Sequence, residues 1–238
     1  MDGIIVGSDL SQEWLLPWWW NHYQKHNSYR VAFIDLGLSF EAKEWCRKHG
    51  EWIPLRIFSF AAEKEELQPE IVETFEREFG RNFWPCRDAW FKKPLACLKS
   101  PFQRSLWIDL DCEIRGSLAP LFNYADSPER IAMAKEQVDK PPGYPLYNSG
   151  VIAFQQNHPL LSEWADHCRE LNSNYRGDQE VFSYLLAKKK IGIAELPPLY
   201  NWSRCHEESA EALIQHWHGH IGKQVIRSQI SLSPLSNF

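Results

Sequence analysis

An α/β fold, with a mostly parallel central sheet flanked by helices, is what the pattern of the chain predicts. Three observations carry it. Short apolar runs alternate with helix-period segments through roughly the first hundred residues, an alternation that places crossover helices over a parallel sheet. The runs end on acids, Asp9, Asp35, Asp109 and Asp111, where ligands of such sheets gather. A hydrophobic fraction of 44% in 238 residues is enough for one sizeable core.

Taken in order, "GIIVGSD" predicts a strand and "SQEWLLPWWWNHYQKH" a helix. "YRVAFIDLG" is the next strand, "SFEAKEWCRKHG" a helix stopped by Gly50, and "EWIPLRIFSF" a third strand. The acidic segment "AEKEELQPEIVETFEREFG" and then "CRDAWFKKPLACLKS" read as helices, the second leading into the strand "RSLWIDLD". The second half is less regular. "RIAMAKE" and "NSGVIAFQ" predict strands joined by the proline-rich loop "QVDKPPGYPLY". "HPLLSEWADHCRELN" and "GDQEVFSYLLAKKK" predict helices, and "GIAELP" and "ALIQHWHG" predict later strands. From about residue 225 periodicity fades, which predicts a poorly ordered tail. No internal repeat is visible.

Composition excludes several classes. A net charge of -5 lacks the basic face that nucleic acid requires. Six scattered cysteines with no C-x-x-C pair suit free thiols in a reducing compartment. No secretory signal is visible at "MDGIIVG", and no apolar run reaches the roughly 18 residues of a membrane span. A cytoplasmic protein is expected.

The chemistry begins at "SLWIDLDCEIRGSLAPLF", where an apolar run ends on Asp109 and Asp111. Burying an unpaired charge costs several kcal/mol, on the order of that given for lone ions, so two acids need an offset. On a regular strand both carboxylates would share a face and address one ion such as Mg²⁺ or Mn²⁺; taken alone, two solvated acids at a strand end are the commoner case. In "ALIQHWHGHIGK" three histidines, 216, 218 and 220, alternate and would share a face if the strand continued. An imidazole ligand favours Mn²⁺, and Lys223 supplies a cation suited to phosphate. In "YNSGVIAF", Asn148 and Ser149 beside Gly150 offer hydrogen bonds to a polyhydroxylated ligand, though Asn-Ser-Gly is equally turn chemistry. In "YRGDQEVF", Asp178 reads as a helix N-cap with Gln179 in the first turn. Trp202 and Trp217, near these segments, offer faces for a sugar, although packing accounts for most of the twelve tryptophans.

The ordered set "IIVGSD", "AWFKKPLACLKSPFQRSLWIDLDCEIRGSLAPLF", "YNSGVIAF", "GDQEVF", "LPPLYNW" and "IQHWHGHIGK" resembles the nucleotide-diphospho-sugar glycosyltransferases of the GT-A fold, most of all glycosyltransferase family 8. The resemblance runs from about residue 3 to residue 223. It implies a Rossmann-like sheet with a smaller acceptor-side subregion in a single domain over residues 1–225. A nucleotide-binding half would span 1–112 and a sugar and acceptor half 113–225, followed by a tail at 226–238. It further implies that Asp109, Asp111 and His216 are metal ligands for Mn²⁺ (or Mg²⁺) bridging the phosphates of a UDP-sugar. Leu110 would lie against the donor between the two acids, and Gly219 and Lys223 would contact the diphosphate. Asp9 would face the uracil or ribose. Lys93 would meet the donor phosphate or sugar, with Lys92 its rival. Asn148, Ser149 and Gly150 would border the donor sugar, and Asp178 and Gln179 would flank the anomeric carbon. One departure stands out: Lys223 lies seven residues after His216, one more than the family spacing.

The implied activity is transfer of a hexose, with retention of configuration, to a glycan, lipid-linked or protein acceptor. Gln179 is a poor nucleophile, which favours front-face attack guided by Gln179 and Asp178. Two rivals remain. In a haloacid-dehalogenase-like phosphohydrolase an apolar strand also ends in Asp-x-Asp, but near the N-terminus and followed by a small hydroxylic residue rather than Cys112. The other is a non-catalytic sugar-nucleotide-binding protein on the same fold.

Overall fold

The structure, a computed structural model, describes residues 1–79, 81–136, 142–207 and 209–232. Four parallel strands come first: β1 (Asp2–Ser8), β2 (Arg30–Asp35), β3 (Glu51–Pro54) and β4 (Arg104–Ile108). Between them lie α1 (Leu16–Tyr23), α2 (Phe40–His49), α3 (Pro69–Phe79) and α4 (Arg87–Cys97). After β4 come β5 (Cys112–Ile114), β6 (Ile131–Lys135), β7 (Tyr147–Gln155), α5 (Pro159–Leu171) and α6 (Asp178–Lys189). The short β8 (Ala194–Glu195), β9 (Trp202–Ser203) and β10 (Ile214–His216) precede α7 (Gly219–Leu232).

The main sheet has the order β3-β2-β1-β4-β7-β6-β8, and only β7 runs against the other strands. β1 is apolar and buried over Ile4, Ile5 and Val6 because helices cover both faces. Ile4 and Val6 face Trp18, Trp19 and Ala42 on one side. Ile5 faces Phe91, Leu95, Trp164 and Phe182 on the other. Burying side chains of this size stabilises by about 1.5–3 kcal/mol each, and two cores, one on each face, follow from the period-2 alternation. The pattern also explains "PWWW": Trp18 and Trp19 enter the core while Trp20 stays half-buried.

A second sheet, β5-β10-β9, stands beside the first. β10 falls within the predicted strand "ALIQHWHG", whereas β5 and β9, of three and two residues, carry too short a pattern to stand out in the sequence. The C-terminal segment also differs from expectation. The chain is helical to Leu232, with Ile226 fully buried and Gln229 Oε1 accepting from Trp18 Nε1 at 2.9 Å. Its amphipathic stripe is anchored by contact with α1 rather than by strong periodicity; residues 233–238, and 137–141 of the proline-rich loop, lie outside the described residues.

The α5 N-terminus supplies a pH-sensitive joint. His158 Nδ1 accepts from Leu160 N at 3.2 Å, and its Nε2 lies 2.9 Å from the Glu129 carbonyl, so the cap works with a neutral ring. Burial lowers the His158 pKa, a shift only partly offset by Glu129. The folded chain thus binds this proton less readily than the unfolded chain, and stability falls as pH drops below about 6.5. A cap is worth about 1 kcal/mol. His158→Asn, which keeps a capping side chain without titrating, is therefore expected to lose less melting temperature than wild type between pH 7 and pH 5.

Candidate active site

The site lies beyond the carboxyl end of β4, where the two sheets meet. β4 stops at Ile108, so Asp109 and Asp111 do not share the face of a strand as predicted. They flank a turn closed by Cys112 N donating to Asp109 O at 3.0 Å. Asp109 ends the large sheet, its N–H bonded to Gly150 O at 2.8 Å; Asp111 opens the small one, its carbonyl accepting from Trp217 N at 2.9 Å. Leu110 is buried in the core between them. A turn with one buried residue brings the two carboxylates to one place.

His216, at the end of β10, completes the cluster. Its Nε2 lies 3.2 Å from Asp111 Oδ1 and 4.0 Å from Asp109 Oδ2. The other two histidines do not share its face. β10 ends at His216, and Gly219 at φ +75° turns the chain into α7, a conformation that suits glycine. His218 turns Nε2 to Ser203 Oγ at 2.7 Å, and His220 is exposed.

Each acid also meets a lysine, the buried Lys93 and the half-buried Lys223. Lys93 of α4 places Nζ 3.0 Å from Asp109 Oδ1 and 3.1 Å from Asp109 Oδ2, and donates to Ser149 O and Oγ at 3.1 and 3.0 Å. Asp178 Oδ2 lies 3.8 Å beyond. Lys92, its rival within "FKKP", points elsewhere, to Asp88 at 2.5 Å. Lys223 reaches Asp111 Oδ2 at 2.7 Å. A lysine seven residues after His216 meets the site because α7 starts between them.

These pairings override burial. Desolvation disfavours the charged form of Asp111, but Lys223 and His216 outweigh it and hold the carboxyl far below its usual range. For Lys93, burial pulls the pKa down, and Asp109 with Asp178 pushes it well above the ordinary value. Asp178 goes the other way: burial raises its pKa, and Lys93 and Ser149 only partly restore it. Its Oδ2 is buried without a hydrogen bond among the described residues. Asp178 is the first residue of α6 rather than its cap. Gly177 takes that position, and Glu180 accepts from its N–H at 3.0 Å.

The remaining predicted residues fall around this centre to different degrees. Ser149 is on β7 beneath Lys93. Gly150 packs against the His216 ring, where a Cβ would come within 2.3 Å of His216 Cε1. Asn148 spends its side-chain oxygen inside the protein, on Gly150 N and Asn201 Nδ2, both at 2.9 Å. Asp9 uses Oδ1 to cap its own turn, accepting from Ser11 N and Gln12 N. Gln179 is half-buried on the first turn of α6. Trp217 Nε1 donates to Glu113 Oε2 at 2.8 Å and Trp202 Nε1 to Glu207 O at 2.9 Å, so both rings are held by the protein itself.

Sequence reasoning missed Asn201 and Glu136, which hold His216 and Asn148 respectively, and Cys112. Asn201 lies inside the quoted segment "LPPLYNW", and its polarity after an apolar run was the available signal. Ligand atoms of Asp111, Cys112 and His216 lie within 4.8 Å of one another. Burial, reinforced by Asp111 and Asp109, keeps the Cys112 thiol protonated, and a protonated thiol is a poor ligand. Two carboxylates and an imidazole form a donor set that fits Mn²⁺, or Mg²⁺ through the carboxylates alone.

Gly150→Ala tests how tightly this centre is packed. The added methyl must displace the His216 ring, at about 1–3 kcal/mol for overpacking. Thermal unfolding should show that loss, and stabilisation by Mn²⁺ should vanish with the ring displaced.

No family profile matches the chain, and no curated protein sequence does. Solved structures do. The galactosyltransferase LgtC, in complex with donor and acceptor sugar analogues, matches with a TM-score of 0.64 at 14% identity, over 100% of this chain and 97% of its own. The glycosyltransferase GlyE of Streptococcus pneumoniae TIGR4 matches with a TM-score of 0.61 at 14% identity, over 99% of this chain and 64% of its own. Mouse xyloside xylosyltransferase 1 gives 0.55 at 16% identity, over 91% and 97%. Identities this low speak to architecture alone. On that architecture, seven strands with one reversed and helices on both faces, the chain has the GT-A fold.

Proposed function

We propose that the protein is a metal-dependent glycosyltransferase that moves a hexose from a UDP-sugar to a glycan, lipid-linked or protein acceptor, with retention, as family 8 enzymes do. The observation that carries the reading is the meeting of Asp109, Asp111 and His216 at the carboxyl end of the sheet, with a lysine on each acid. The glycosyltransferase neighbours in structure support the class.

Asp109, Asp111 and His216 would hold a divalent cation, which would supply Lewis-acid stabilisation for a departing diphosphate. Lys223, the fifth residue of α7, adds a fixed positive charge for the leaving group, and such preorganised charge is commonly the largest catalytic term. Lys93 and Ser149 orient the donor sugar next to Asp109. Asp178 and Gln179, at the start of α6, face the anomeric carbon as its charge grows. Gly219, free of a Cβ at the helix start, lets the diphosphate approach the backbone. Asp9 binds the uridine through the oxygen its turn leaves free.

All six cysteines are free thiols, which supports a cytoplasmic setting. No helix among the described residues is long and apolar enough to cross a membrane.

A thermal-shift panel of nucleotide sugars, with and without Mn²⁺, tests the reading. Stabilisation by one UDP-sugar that requires the ion supports it, with about 2.7 kcal/mol expected at a hundred times Kd. Turnover of a small phosphoester without nucleotide-sugar binding would transfer the site to the phosphohydrolase class. Ion-dependent UDP-sugar binding with neither hydrolysis nor transfer would leave a binding protein.

A further inference from the structure

The protons around His216 can be assigned from one backbone group outward. Gly150 N–H only donates, and it lies 2.9 Å from Asn148 Oδ1, which fixes that atom as the amide oxygen. Asn148 Nδ2 then meets Glu136 Oε2 at 2.6 Å, as a donor should. The Asn201 atom 2.9 Å from the same Asn148 oxygen must also donate, so it is Nδ2. Asn201 Oδ1 is left facing His216 Nδ1 at 2.9 Å. An amide oxygen only accepts. His216 Nδ1 therefore carries the proton, and Nε2 turns towards Asp111 and Asp109. Asn148, Asn201 and His216 are all buried.

We propose that Asn201, itself held by Asn148, is a positioning residue that selects the Nδ1–H form of His216 and keeps Nε2 available to a divalent cation. The assignment matters because a competitor stands 3.2 Å away. Asp111 Oδ1 is an acceptor that would hold a proton on Nε2, the nitrogen a cation needs bare. Without Asn201, nothing among the described residues favours Nδ1–H. A hydrogen bond on the far nitrogen is how proteins commonly orient imidazole ligands. Here the bond traces back through two amides to the main chain of β7.

The first claim, the tautomer, stands independently of the metal; only the second rests on His216 being a ligand. The test uses metal-free protein with ¹⁵N-labelled histidine at alkaline pH. Long-range ¹H–¹⁵N spectra should show His216 with a protonated Nδ1 and a bare Nε2, and in Asn201→Ala the proton should move to Nε2. Mn²⁺ affinity of Asn201→Ala should fall about 10–100-fold, with the metal-free melting curve as the control for folding. A wild-type spectrum with the proton on Nε2 overturns the proposal without recourse to any variant. An unchanged Nδ1–H in a folded Asn201→Ala overturns it too. If the proton moves as expected but Mn²⁺ binds neither protein, the relay stands and the metal reading alone falls.

Discussion

On the proposed function, Asp111→Asn should lower glycosyl transfer by at least about a thousandfold, since a bound ion would contribute several kcal/mol. Asparagine keeps the volume and one acceptor but loses the charge that Lys223 and His216 share. Removing one partner of a buried pair costs about 3–5 kcal/mol, less where the other partner is partly solvated. The metal-free variant should therefore unfold earlier in denaturant yet remain folded, because domains of this size have about 5–15 kcal/mol in hand. The diagnostic result is loss of the Mn²⁺-dependent thermal shift. The carboxyl also sets a pH limit. Its folded-state pKa is depressed, so its stabilisation is complete above the unfolded value of about 3.9 and drains away as pH falls below that. The variant should lose that acid-range slope. Full Mn²⁺ stabilisation of a folded Asp111→Asn protein would remove this residue from the ligand set.

Lys93→Met should cost up to about 3–5 kcal/mol in the metal-free protein, the effect of leaving the buried Asp178 and the half-buried Asp109 without their ammonium. Two acids lose their partner at once, Asp109 and Asp178. The penalty has a pH signature. Asp178 has a raised pKa already, from burial, so it binds its proton more tightly folded than unfolded. Without Lys93 that bias grows, and stability should recover as pH falls through the folded-state pKa towards about 4. Divalent cation should stabilise this variant more than wild type, because a cation on Asp109 stands in for the missing ammonium. Denaturant titrations at two pH values, each with and without Mn²⁺, read both effects. Equal Mn²⁺ stabilisation in the two proteins would contradict the pairing of Lys93 with Asp109.

Much of this architecture was legible because long strands carry long patterns. β1, β2 and β4 are apolar runs with acids at their ends, and each of those acids lies where the sheet opens. The small sheet was legible at β10, inside "ALIQHWHG", but not at β5 or β9. Its strands of two or three residues are fixed by partners far along the chain, such as Cys112 opposite His216. The histidine alternation misled for a related reason: a period of two describes a strand, but the glycine at 219 starts a helix instead. Asp109 and Asp111 meet as anticipated, yet through a turn, because the residue between them is drawn into the core. Asn201 illustrates what spacing never shows. Its role depends on a hydrogen-bond order running through β7, which only coordinates can supply.

The placement of Asp109 and Asp111 between the two sheets, one after β4 and one before β5, has a mechanical consequence. Three residues, Asp109, Leu110 and Asp111, are the whole length of the strap between β4 and β5, and the Leu110 side chain is clamped in the core. The small layer also carries the start of α7 and hence Lys223. Any slippage between the layers therefore changes the bite of the two carboxylates and the reach of the lysine together. A ligand that tightens that bite acts as a rivet, and amide exchange at Trp217, whose N–H is bonded to Asp111 O, is where its grip would register.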